Sequence, residues 1–174
     1  MSTLFDTVTF AHGPSLKNRF MLAPLTNSQS AADGVLSDEE YRWLTMRAEG
    51  GFGLTMTCAS HVQAAGQGFP GQLGCFDDMH IPGLARLAEG IKLNDSLAIV
   101  QLHHAGRRSP KELIGTDPVS SGVDEKMGAR AMTTAEVEQM IEDFISAAIR
   151  VQKAGFQGVE LHGAHDYLIC QFLN

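Results

Sequence analysis

Four short stretches of nearly unbroken apolar residues punctuate the chain: RFMLAPL (19–25), GFGLTMTCAS (51–60), SLAIVQLHH (96–104) and FQGVELHG (156–163). A strand with one wet face alternates apolar and polar residues. A continuous apolar run of this length marks a strand covered on both faces, as in a parallel sheet flanked by helices.

The segments between the runs have helical periodicity. Ser37-Asp38-Glu39-Glu40 reads as a capping box, with Tyr41, Leu44 and Ala48 as the apolar stripe behind it. Pro82 suits a first helical turn, followed by a stripe of Leu84, Leu87 and Ile91. Thr133 and Glu136 form a second capping box ahead of Val137, Met140, Ile141, Phe144, Ala148 and Val151, and Gly155 is placed to stop that helix. Asp166 to Leu173 opens a fourth helix. Upstream of it all, LFDTVTFAHGPSL reads as a β-hairpin.

Alternating strands and helices imply parallel pairing through right-handed crossovers, in either a doubly wound sheet or a (β/α)8 barrel. The dinucleotide fingerprint G-x-G-x-x-G is absent after the first run, which continues APLTNS, and Gly51-Phe52-Gly53 precedes a strand instead of opening a helix. Barrel enzymes carry their chemistry at the C-terminal strand ends. Those ends read APLT, CAS, QLHHAGR and ELHGAH here, polar at every one. The expected fold is therefore α/β: the N-terminal half of a TIM (β/α)8 barrel, about four parallel β-α units preceded by a β-hairpin, in a single domain over 1–174. A whole barrel takes about 250 residues, and this chain has 174. Open first and last strands predict self-association or pairing with a complementing second half-barrel.

Charge selects against some partners. Asp plus Glu number 20 against 13 Lys plus Arg, so no basic stripe exists for nucleic acid or an anionic membrane. No stretch approaches the roughly 18 apolar residues of a membrane span, and MSTLFDTVTF lacks the regions of a signal peptide. Cys58, Cys75 and Cys170 are odd in number and lack a C-x-x-C, which reads as reduced thiols in a cytoplasmic protein.

The last strand end, VELHGAHDYL, delivers His162, His165 and Tyr167 within six positions. Two neighbouring imidazoles can donate to one carbonyl oxygen and stabilise charge that develops there, and a phenol can supply a proton to the adjacent carbon. Metal ligation, as in a metal-dependent hydrolase, is the alternative. It is weakened because Thr26, Ala59 and Gln101 at the other strand ends are poor ligands, and only one of His103 and His104 can face the mouth. No metal is expected. The Gln101 carboxamide matches the N–H and C=O edge of a flavin pyrimidine, Thr26 offers a hydroxyl to a flavin carbonyl, and Pro24 could lie against the ring.

Together KNRFMLAPLT, GFGLTMTCAS, GFPGQLGCFDDMHIPGLARLAEGIK, QLHHAGR and GFQGVELHGAHDYLICQFL resemble the Old Yellow Enzyme family of FMN-dependent NAD(P)H oxidoreductases, over essentially the whole chain. The resemblance implies FMN at the barrel mouth. Ala23, Pro24, Leu25 and Thr26 would contact it, as would Ala59 through its backbone, Gln101 through its amide, and His162 near the pyrimidine. His162 and His165 would hold the substrate's oxygen, and Tyr167 matches the proton donor. Hydride would pass from NAD(P)H to flavin and then to an activated alkene or related carbonyl compound, the chemistry of an ene-reductase. A non-catalytic half-barrel that needs its second half is the other reading. Asp166 stands where the family usually has Gly, so a carboxylate beside the histidines is expected to raise their pKa or select a different substrate. Ser28 stands where one branch has a substrate-binding tyrosine.

Overall fold

The computed structural model describes residues 2–174. In chain order its elements are β1 (Met21–Leu22), α1 (Asp38–Glu49), β2 (Leu54–His61), α2 (Ile81–Lys92), β3 (Leu97–His103), α3 (Lys111–Ile114), β4 (Val119–Ser120), β5 (Arg130–Ala131), α4 (Thr134–Lys153), β6 (Gly158–Leu161) and α5 (Leu168–Leu173). Strands β1, β2, β3 and β6 form one parallel sheet in that order, and β4 pairs with β5 in a separate two-stranded ribbon. This is the expected partial barrel, open at β1 and β6. The anticipated hairpin reduces to a single antiparallel bridge, Val8 to Leu16.

The apolar runs did their work unequally. In β2, every residue from Thr55 to His61 is buried, as a strand flanked on both sides must be. At the edges, sheet pairing is confined to two residues of β1 and four of β6, shorter than the apolar runs that announce them. On their helix side, β2 and β3 supply Cys58, Ala98, Val100 and Leu102 to one core with Leu44 of α1, Leu84, Leu87 and Ile91 of α2, and Val151 of α4. Removing those side chains from water contributes about 25 cal/mol per Å² of apolar surface.

Helix ends follow local chemistry, with two corrections. Thr133 and Glu136 form a complete reciprocal box, and Gly155 takes φ +87° just beyond α4. The box at Ser37 is only half made: Ser37 Oγ accepts from the Glu40 backbone at 3.0 Å, but the Glu40 carboxylate turns inward. The position explains this, since Glu40 lies one turn before Leu44 on the buried stripe. Helix α5 begins at Leu168, not Asp166, because His165 and Asp166 both hold left-handed backbone, φ +56° and +60°.

Candidate functional site

Parallel register lines up the strand ends. Ala59 of β2 is level with Gln101 of β3, which is level with Glu160 of β6. One step on in the side-chain period, His61 is level with His103, and the His162 backbone continues the ladder to Leu102 O at 3.0 Å. A shift in register between Met56 and Ala59 is what brings Ala59 opposite Gln101. Where that shift breaks the ladder, the Thr57 hydroxyl accepts from the Gln101 amide at 3.3 Å. Ala23, Pro24, Leu25 and Thr26 continue from the C-terminal end of β1 at the same end of the sheet, with Leu25 and Thr26 exposed. The Gln101 side chain is oriented by Glu160, to whose Oε1 its Nε2 donates at 2.6 Å.

His162, His165 and Tyr167 cluster beside this row. The His162 ring lies 5.1 Å from that of His165 and 5.0 Å from Tyr167, edge to face, while His103 packs on Tyr167 at 4.3 Å. His162 Nδ1 accepts from Ala164 N at 3.4 Å, which leaves Nε2–H to donate to His165 Nδ1 at 3.3 Å. The two imidazoles are thus bonded to each other, and an oxygen seated between them exchanges that bond for its own. Burial first, and then the neighbouring His165, hold His162 below the ordinary imidazole value, with Glu160 pulling the other way. His162 is therefore an uncharged donor at neutral pH.

Asp166 does not flank the histidines as expected. Its carboxylate is taken by Arg107, through Nε to Oδ2 at 3.0 Å and a second contact from Nη2 to Oδ1, and Arg107 also reaches Asp124 at 3.3 Å. The left-handed backbone at Asp166 turns the side chain away from the rings and towards β3's exit turn. That ion pair latches the loop carrying His165 and Tyr167. Gln171 adds a bond from Nε2 to the Asp166 carbonyl at 2.6 Å.

The inward-facing roles of two buried polar groups, Glu40 and Gln72, were not visible in the sequence. Glu40, 0% exposed, accepts from Asn27 Nδ2 at 3.1 Å, from Cys58 Sγ at 3.1 Å and from the Ser30 hydroxyl, tying the loop after β1 to β2 beside Ala59. Its place on an apolar stripe was the available signal. Gln72 accepts from Gly68 N at 2.7 Å and donates to Ala59 O at 2.8 Å and to His103 Nδ1 at 3.0 Å, so His103 keeps its proton on Nε2, a buried nitrogen with no partner among the described residues. His104 faces the other way, to Gln63 Oε1 at 3.3 Å. Among the described residues no group of three or more His, Cys, Asp or Glu is placed to hold a metal ion, and no helix is long and apolar enough to cross a membrane.

The groups at the mouth, a hydroxyl, an amide and the His162 imidazole, suit a planar ring with alternating N–H and C=O groups. A parallel β/α sheet with polar residues gathered at one end is the architecture of part of a (β/α)8 barrel. The chain belongs to the NADH:flavin oxidoreductase / NADH oxidase family, whose model matches residues 3–174. It is 40% identical over 173 residues to the probable NADH-dependent flavin oxidoreductase YqiG of Bacillus subtilis, covering 97% of this chain and 46% of that one. It is 38% identical over 180 residues to the NADH:acrylate oxidoreductase of Vibrio harveyi, covering 100% of this chain and 18% of that one. Among solved structures it superposes on Old Yellow Enzyme from Pichia sp. AKU4542 with a TM-score of 0.91 at 26% identity, over 98% of this chain and 48% of that chain. The chain therefore spans about half, or less, of the proteins it matches.

Proposed function

We propose that residues 1–174 form one half-barrel domain that contributes the flavin-facing strand ends and the proton-delivery loop of an FMN-dependent, NAD(P)H-using reductase of activated alkenes. The observation that carries this reading is the lateral row Ala59–Gln101–Glu160 with His162 and Tyr167 just beyond it. In it, the Ala23–Thr26 backbone, the Thr26 hydroxyl, Ala59 and the Gln101 amide hold the cofactor. When bound, FMN supplies two-electron transfer between the nicotinamide and the substrate. His162 donates through Nε2–H to the electron-withdrawing oxygen of the substrate, and His165, released from its bond to His162 and in the tautomer protonated on Nδ1, donates to it as well; both bonds strengthen as the oxygen gains charge. Tyr167 gives its proton to the carbon next to the activated group. A relative named for acrylate makes small unsaturated acids natural candidates.

The second reading, a half-barrel inactive until complemented, is favoured by one observation. A groove of about 510 Å³ between α4, β6 and α5 is lined almost wholly by apolar side chains, and Ile141, Ile145, Leu161 and Phe172 are exposed there. That face and the open β6 edge suit a complementing half-barrel or a second copy. Desalting the chain after mixing with FMN, alone and with the C-terminal half of a family member, separates the outcomes. A retained flavin band bleached by NADH or NADPH under argon supports the reductase. A band only in the mixture favours the complemented form, and no band in either overturns the flavin assignment.

A further inference from the structure

Two arginines follow one another in the turn after β3, and their surroundings differ. Arg107 is committed to Asp166 and Asp124. Arg108 is exposed and has no carboxylate within ion-pair distance among the described residues. It is nevertheless fixed in place. Its Nη1 donates to the His165 carbonyl at 2.9 Å, and its guanidinium carbon lies 5.2 Å from the centroid of the Tyr167 ring. A bond to a neutral carbonyl leaves the positive charge uncancelled, and a guanidinium has five N–H donors, of which this contact uses one.

An unspent, oriented cation therefore stands against the loop that carries two of the three proposed substrate-handling residues. His162 beside it binds an oxygen as an uncharged donor, and Arg108 is the fixed, uncancelled positive charge at this loop that distinguishes an anionic ligand from a neutral one of the same shape. We propose that Arg108 is a specificity-determining residue that binds a carboxylate on the substrate, so that this site takes unsaturated carboxylates in preference to their amides or esters. The proposal rests on the reading of His162, His165 and Tyr167 as the place where substrate lies. A purely structural Arg108, serving only to hold the His165 carbonyl, gives no such discrimination.

The test compares cinnamate with cinnamamide, equal in shape and different in charge. Each is titrated by calorimetry into the chain equilibrated with FMN, and the His165 ring proton resonances locate the bound ligand. The expected preference for cinnamate at low salt is about tenfold, the contribution of one charge-assisted hydrogen bond at an exposed site, and it shrinks as salt rises. Arg108→Gln brings the two ligands to within about twofold of each other, and Arg108→Lys keeps part of the preference. Equal or undetectable affinities in the unmodified chain overturn the proposal, as does a preference that survives in a folded Arg108→Gln variant. Flavin retained on the same samples without a carboxylate preference sinks the role of Arg108 alone. A preference that depends on Arg108 in samples holding no flavin leaves Arg108 standing and removes the flavin reading.

Discussion

Glu40 places a carboxylate where water does not reach, with no cation within ion-pair distance among the described residues. Such a group is costly unless its lone pairs are satisfied, and here Asn27, Ser30 and Cys58 satisfy them. Burial first, and then Glu40 itself, raise the Cys58 thiol well above its ordinary value, which keeps it protonated as the donor. Glu40→Gln preserves the volume but sets an NH2 group against three donors. The expected loss is about 1–3 kcal/mol of folding stability, read from urea unfolding monitored at Trp43. Because Ser30 and Glu40 share one bond, Ser30→Ala combined with Glu40→Gln should cost less than the sum of the two changes. Additive costs would separate them.

Helix α4 shows what a short motif can specify. Thr133 accepts from Glu136 N at 3.3 Å, and Glu136 answers with Oε2 to Thr133 N at 2.8 Å while holding Arg130 by both oxygens. The Arg130 bonds, then the Thr133 backbone, bring the Glu136 carboxyl down to about 2. Thr133→Ala should cost about 1 kcal/mol, seen as an earlier urea midpoint with unchanged slope; no change would show that tertiary packing alone sets where α4 begins. Helix starts of this kind were legible because cap and stripe are local. The central strands were legible because burial on both faces removes alternation. The short edges were not, since pairing partners lie outside any window of sequence. The start of α5 was hidden because left-handed backbone at His165 and Asp166 is carried without glycine. The candidate residues at the strand ends could be named in advance, but the commitment of Asp166 to Arg107, 59 positions apart, could not.

Across the whole molecule, buried imidazoles set how acid acts. Burial is the main cause that lowers His61 to about 4 and both His103 and His104 to about 3. In the unfolded chain these groups titrate near 6.5. Their folded values are depressed, so the stability they favour is fully present above about pH 6.5. Below it the unfolded state binds more protons, and stability falls continuously as pH drops towards 3–4. Urea midpoints measured from pH 7.5 downwards should therefore decline before carboxylates titrate, and His104→Gln should flatten the slope. A midpoint constant between pH 7 and 5 would contradict this. The pairing order also grades the molecule in time. Strands β2 and β3 are bonded on both sides, whereas β6 and the loop it launches are bonded on one. Slowest amide exchange belongs to Ala59 and Gln101 in the middle of the sheet and faster exchange to β1 and β6 at its two edges, so the centre of the proposed cofactor shelf outlasts its Ala23–Thr26 rim, and the His165 loop depends on its ion-pair latch to keep pace.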